Sequence, residues 1–100
     1  MSYDSKFKNE ALDEMFKAVL LLESEEDCYR FFEDLCTVKE LHEMSQRFQV
    51  AKMLDCKKTY TEIEKETGAS TATISRINKC LVYGANGYRN AIDKAKETEE

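Results

Sequence analysis

The side chains of this chain that could do chemistry are few, and spacing excludes most of what they could do. Four cysteines stand at positions 28, 36, 56 and 80 with no C-x-x-C pair, and the one histidine is His42. Metal-site spacing is therefore missing, and the cofactor expectation is none. No nucleophile–base pair and no paired carboxylates in an apolar setting can be assembled, so the residues do not read as an enzyme. What remains is the stretch around Thr71, Ala72, Ser75, Arg76 and Lys79, which at helical spacing shares one face while Ile74, Ile77 and Leu81 share the other. Small and hydroxylated residues at the start of a helix, with cations further along, suit the major groove of double-stranded DNA. Close approach, base-edge hydrogen bonds and phosphate contacts are all wanted there.

Two elements must position that face. Thr59 and Glu62 form a capping box that opens a short helix, and Gly68 supplies a left-handed end to it. A second helix begins after Ser70 or Thr71, either of which can cap it. Residues of about 59–81 thus read as a helix-turn-helix. Lys57 and Lys58 in the link before it suit phosphates at the motif's edge, though two solvated lysines in a loop are the simpler reading.

The rest of the chain reads as helix throughout. Proline is absent and glycine occurs only at 68, 84 and 87, so little interrupts a helical pattern. A long amphipathic helix is expected from about Tyr3 to Glu23, built on Phe7, Ala11, Leu12, Met15, Phe16, Val19 and Leu22. A second helix, capped at Ser24 with acidic residues in its first turn, should reach about Leu35. Thr37 and Glu40 open a third helix to about Asp55, with Val38, Leu41, Met44, Phe48, Ala51 and Leu54 as its buried stripe. The last helix is expected from about Tyr88 to Glu97, followed by an acidic tail that should fray. About six helices make an all-α fold, and 100 residues make one domain, 1–100.

Apolar bulk exceeds what that one small domain can bury. Ala18 to Leu22 is apolar all round, and Tyr29, Phe31, Phe32 and Leu35 outnumber what one face of the second helix requires. An interlocked homodimer, each amino-terminal half packed on the other subunit, would cover them.

Net charge is −5, which argues against a non-specific nucleic-acid coat. The sign is uneven, however. Residues 1–56 carry 7 basic and 13 acidic side chains, a balance of −6, and residues 81–100 carry 3 and 4, a balance of −1. Residues 57–80 carry 5 basic and 3 acidic, a balance of +2, so the one positive segment is the one with the binding-motif shape. The longest apolar run, Ala18 to Leu22, is too short to span a bilayer, and no secretory signal is evident. A cytoplasmic setting follows, with the cysteines as small buried hydrophobes and His42 on the surface.

These residues carry a resemblance. Thr37 and Arg47 on the third helix, with Thr-Gly-Ala-Ser-Thr-Ala-Thr-Ile-Ser-Arg from Thr67 to Arg76, resemble the Trp repressor superfamily, in particular its small members from Gram-positive bacteria. The resemblance covers roughly Thr37 to Ile92. It implies an intertwined all-helical dimer that binds palindromic operators through paired recognition helices. It puts DNA contacts on Thr71, Ala72, Thr73 and Ser75, supported by Tyr60, Thr61, Glu64 and Lys79. By the same resemblance, an effector site would involve Thr37, Arg47, Arg76, Ile77 and Cys80.

Departures from that pattern are informative. Ile77 stands where the tryptophan-responsive members have a glycine that leaves room for an indole, so tryptophan is disfavoured against another small effector or none. Cys80 replaces a ligand-contacting serine, and Glu64 replaces a base-reading lysine, so the operator should differ too. Bland readings stand beside these: Thr37 caps its helix with or without a ligand, and Arg47 and Arg76 could each pair with a nearby glutamate. The functional expectation is a sequence-specific DNA-binding regulator, a repressor acting as a homodimer. The alternative is a dimeric protein-interaction module that keeps the fold and uses its acidic surface.

Overall fold

Capping chemistry sets where the helices begin. A computed structural model describes residues 3–98, which form six α-helices and no strand: α1 Glu10–Val19, α2 Glu25–Leu35, α3 Val38–Asp55, α4 Tyr60–Thr67, α5 Thr71–Tyr83 and α6 Gly87–Thr98. They divide into two compact units, Met1–Val38 and Lys39–Glu100.

In the amino-terminal unit α1 is shorter than its apolar pattern predicts. Asn9 accepts from the Leu12 N–H at 2.8 Å and caps the helix, while Ser5 accepts from the Phe7 N–H in a separate turn. Short polar side chains that bond nearby backbone offer it an alternative to helix, which is why residues before Asn9 stay out. At the other end, Leu21 and Leu22 donate to the carbonyls of Ala18 and Val19 in a tight three-residue pattern, and the helix stops. The second helix follows expectation, with Ser24 accepting from the Asp27 N–H at 3.0 Å and three acidic residues in the first turn. Phe31 and Phe32 meet edge to face, 5.3 Å between ring centres. Neither helix contains a buried residue. Leu20 is 82% exposed and Leu21 78%.

The carboxy-terminal unit holds the core. Val50, Ala51 and Met53 of α3, Ile63 of α4, Ala69 of the turn, Ile74 and Ile77 of α5 and Ile92 of α6 are buried against one another, with Leu54, Tyr60, Leu81 and Tyr88 packed around them. The stripe expected on α3 is corrected in part by this. Ala51 is buried and Leu54 packs on the core as expected and Leu41 is half-buried, but Val38, Met44 and Phe48 are exposed, and Val50 and Met53, outside the expected stripe, are buried. Apolar residues run round α3, and the ones that bury are those that share a core with α4, α5 and α6.

One polar cluster ties α6 to the end of α3. Asp55, its side chain 10% exposed, accepts from Arg89 and, at 2.6 Å, from Lys96. The Lys96 and Arg89 hydrogen bonds hold its carboxyl at about 2, below the usual carboxylate range. Helix α5 runs two residues beyond the expected Leu81 and stops at Gly84, where a Cβ would collide with the Cys80 carbonyl. Helix α6 begins at Gly87 and includes Thr98, one residue past expectation at each end, while Glu99 and Glu100 of the expected frayed tail lie outside the described residues.

Candidate nucleic-acid interface

The helix-turn-helix is built as its residues dictate. Thr59 accepts from the Glu62 N–H at 3.2 Å and its own N–H donates to the Glu62 carboxylate at 2.9 Å, which closes the capping box of α4. Gly68 ends that helix at φ 78°, a conformation only glycine adopts without cost, and donates to the Glu64 carbonyl at 2.9 Å. The turn is then tied from two sides. Thr67 donates its hydroxyl to the Ile63 carbonyl and accepts from the Ala69 N–H, and Gln46 reaches from α3 to the Thr67 carbonyl at 2.9 Å. Between the two possible caps of α5 the structure selects Ser70, which accepts from the Thr73 N–H at 3.2 Å.

Those constraints turn α5 so that Ile74 and Ile77 are buried while Thr71, Ala72, Ser75, Arg76 and Lys79 are exposed together. Thr73 is half-buried, and its hydroxyl accepts from Ser70 at 3.0 Å. On α4, Thr61 is exposed, Tyr60 is half-buried against the core and Glu64 is half-buried. Across the motif, the Thr71 hydroxyl donates to Glu64 at 2.6 Å.

Lys57 and Lys58 are exposed in the link from α3 to α4. Their backbone closes α3: the Lys57 N–H donates to Leu54 and the Lys58 N–H to Met53, with Lys57 in the left-handed region at φ 64°. That geometry normally takes glycine, and here it places a lysine. Among the described residues no carboxylate pairs with Arg47, Arg76, Lys57, Lys58 or Lys79 within 4.0 Å, so these cations remain available to an external anion. No group of three His, Cys, Asp or Glu side chains among the described residues could hold a metal ion, and no helix there is long and apolar enough to cross a membrane.

The profile of the family described as Trp repressor protein matches residues 10–96. The chain belongs to the Trp repressor family. Its relatives include the uncharacterised protein YerC of Bacillus subtilis, 52% identical over 94 residues, a match covering 94% of this chain and 90% of YerC. Among solved structures, a candidate Trp repressor from Staphylococcus aureus superposes with a TM-score of 0.86 at 52% identity, over 91% of each chain. A TrpR-like protein from Eubacterium eligens superposes with a TM-score of 0.87 at 47% identity, over 91% of this chain and 94% of that one. The Trp repressor family is one of DNA-binding regulators, and its all-α fold is the one described above.

Within the Trp repressor fold, the five residues considered for an effector divide. Thr37 belongs to the amino-terminal unit. In the other unit, Arg47 of α3 and Arg76 and Cys80 of α5 are exposed and converge electrostatically on Tyr88 of α6. Burial and the Cys80 thiol raise the Tyr88 hydroxyl above its ordinary value, while the two guanidiniums pull it down. Ile77 is 3% exposed and is core. The expectation that the cysteines are buried is corrected: Cys28, Cys56 and Cys80 are exposed, Cys36 is intermediate, and all are free thiols. Cys80 follows Arg76 by one helical turn and so shares its outward face, whereas Ile77 lies on the inward one.

Two residues near the site escape the sequence reading. Gln46 is one polar residue among many on α3, and nothing local marks its bond to a turn 21 residues on. Tyr88 reads as an apolar helix residue, and only the packing of α6 on the core brings it within the field of Arg47 and Arg76.

Proposed function

We propose that this protein is a sequence-specific DNA-binding regulator, a repressor that acts as a homodimer on a palindromic operator in the cytoplasm. The observation that carries the reading is the exposed face of α5, where Thr71, Ala72, Ser75, Arg76 and Lys79 stand together over a buried Ile74–Ile77 seam. In this reading Thr71, Ala72, Thr73 and Ser75, at the amino-terminal end of α5, meet base edges. Arg76, Lys79, Lys57, Lys58, Tyr60 and Thr61 meet the backbone.

Homodimerisation is supported by the amino-terminal unit, whose two helices hold no buried residue and which exposes Phe16, Leu20, Leu21 and Tyr29. A surface of that kind is normally covered by a partner. Residues 1–100 then work as one domain only within the pair, with two reading helices about one DNA turn apart.

Selection from random duplexes on the purified protein tests this. A palindromic consensus is expected, with an affinity that falls steeply with salt. Arg76→Ala and Lys79→Ala each lower the log–log salt slope by about two in the dimer, because each subunit then neutralises one phosphate fewer. A flat salt dependence with no consensus would favour a protein-interaction module instead.

Regulation by tryptophan does not fit Ile77, whose side chain belongs to the core where an indole would need room. Calorimetry is expected to detect no micromolar binding of tryptophan. Another small effector, taken by Arg47, Arg76 and the Cys80 edge, fits better with the cations unpaired.

A further inference from the structure

The positive helix-turn-helix segment contains three carboxylates, and one of them is tethered across the motif by a single oxygen. Glu62 is taken up by the capping box of α4. Glu66 is exposed on the same helix. Glu64 instead leaves its own helix and accepts, through Oε1, from the hydroxyl of Thr71 at 2.6 Å. Thr71 is the first residue of α5 and is exposed at the end of the motif where the small residues gather. Among the described residues the second oxygen, Oε2, has no partner. A half-buried carboxylate with one oxygen tethered and the other open is an acceptor aimed by its neighbour.

We propose that Glu64, held by Thr71, reads the exocyclic amine of a cytosine in each half-site. This inference rests on the DNA-reading role of α5 proposed above. A carboxylate brought to a duplex meets phosphate repulsion everywhere except at a base-edge donor. In the major groove two bases offer an amine, cytosine N4 and adenine N6. Adenine presents its N7 acceptor beside the amine, which would face the lone pairs of Oε2, whereas cytosine presents a C–H there. Cytosine is therefore the base that the open oxygen accepts without a clash of acceptors. Thr71 contributes by fixing the side chain, so that no rotamer freedom is lost at the moment of binding.

The assignment has a signature that a merely bridging role lacks. Random-duplex selection would be run in parallel on the wild type, Glu64→Ala, Glu64→Gln and Thr71→Val. The wild type should enrich C at one position per half-site by at least about five-fold, the low end of a good base contact. Glu64→Ala should lose that preference alone, keep the other positions, and bind random duplex about two-fold or more tighter because a negative charge has left the interface. Glu64→Gln keeps an oxygen for Thr71 and turns its open end from acceptor to donor, so the same position should move from C towards the acceptor edges of G or T. Thr71→Val should weaken the preference without moving it.

A wild-type consensus in which every base preference survives Glu64→Ala would overturn the inference and leave the DNA-reading role standing. So would an A in place of the C. No consensus from the wild type at all would overturn both.

Discussion

Gly68 shows how much of the motif rests on one backbone angle. At φ 78° an added Cβ meets nothing closer than Gln46 Nε2 at 3.9 Å, so space is not the constraint and the left-handed conformation is. Gly68→Ala should therefore lower stability by about 1 kcal/mol without a packing defect, read as a shift in urea midpoint at unchanged slope. Ile77 and Cys80 make a related point. Three residues apart on α5, one is 3% exposed and the other is exposed, and the helical period together with the neighbours of α5 explains the difference. The type of Ile77 as core was legible; the outward turn of Cys80 was legible from its distance to Arg76, but its small apolar character pointed the other way. Glu64 could be recognised as an oddity in a basic segment. Its partner Thr71, seven residues on, could not be read without the turn that folds α5 back on α4.

Between elements, a polar cluster joins the buried Ile92 in docking α6. Asp55 at the end of α3 accepts from Arg89 and Lys96, and neither partner is marked in the sequence, being 34 and 41 residues away. Since these partners hold its carboxyl at about 2 against an ordinary value of 3.8, the ionised form is favoured in the fold. The sign follows: this stabilisation is complete above about pH 4, where the unfolded carboxyl is also ionised, and is lost as pH falls towards 2. Asp55→Asn should cost about 1–2 kcal/mol near neutral pH and flatten the acid limb of the stability profile between about pH 4 and 2. Urea unfolding at stepped pH measures both; an unchanged acid limb would show that the clamp is decorative. Helix boundaries behave differently. α2, α3 and α4 begin directly after Ser24, Thr37 and Thr59 as expected, and α4 ends at Gly68, because a cap is a local hydrogen bond. α1 departs because Asn9 and Ser5 supplied local bonds that a periodicity count ignores.

For the molecule as a whole, the imbalance between the two units is the central fact. Among the described residues, all eight that are buried and apolar belong to Lys39–Glu100, and the amino-terminal unit has none. A unit in that state cannot offset its ordering entropy alone. Light scattering at micromolar concentration is expected to give twice the chain mass, and the thermal midpoint should rise with protein concentration. A monomer with a concentration-independent midpoint would remove the dimer from the proposal. Net charge of −5 bears on the same scale, since in the proposed DNA complex an acidic body with one +2 segment is steered towards the orientation that presents that segment.

By itself the amino-acid sequence determined the helical class, the caps at Ser24, Thr59 and Gly68, the helix-turn-helix and the family, because each depends on residues within a turn or two of one another. Tertiary structure alone decided that α3 buries Val50 and Met53 beside the expected Ala51 while Val38, Met44 and Phe48 stay exposed, that Asp55 clamps α6, that Tyr88 of α6 feels the charges of Arg47 and Arg76, and that Thr71 holds Glu64. Those depend on which helix covers which, and an apolar or charged residue carries no mark of the partner that packing will bring to it. The motif could be found from its own letters. What it is aimed with required the fold.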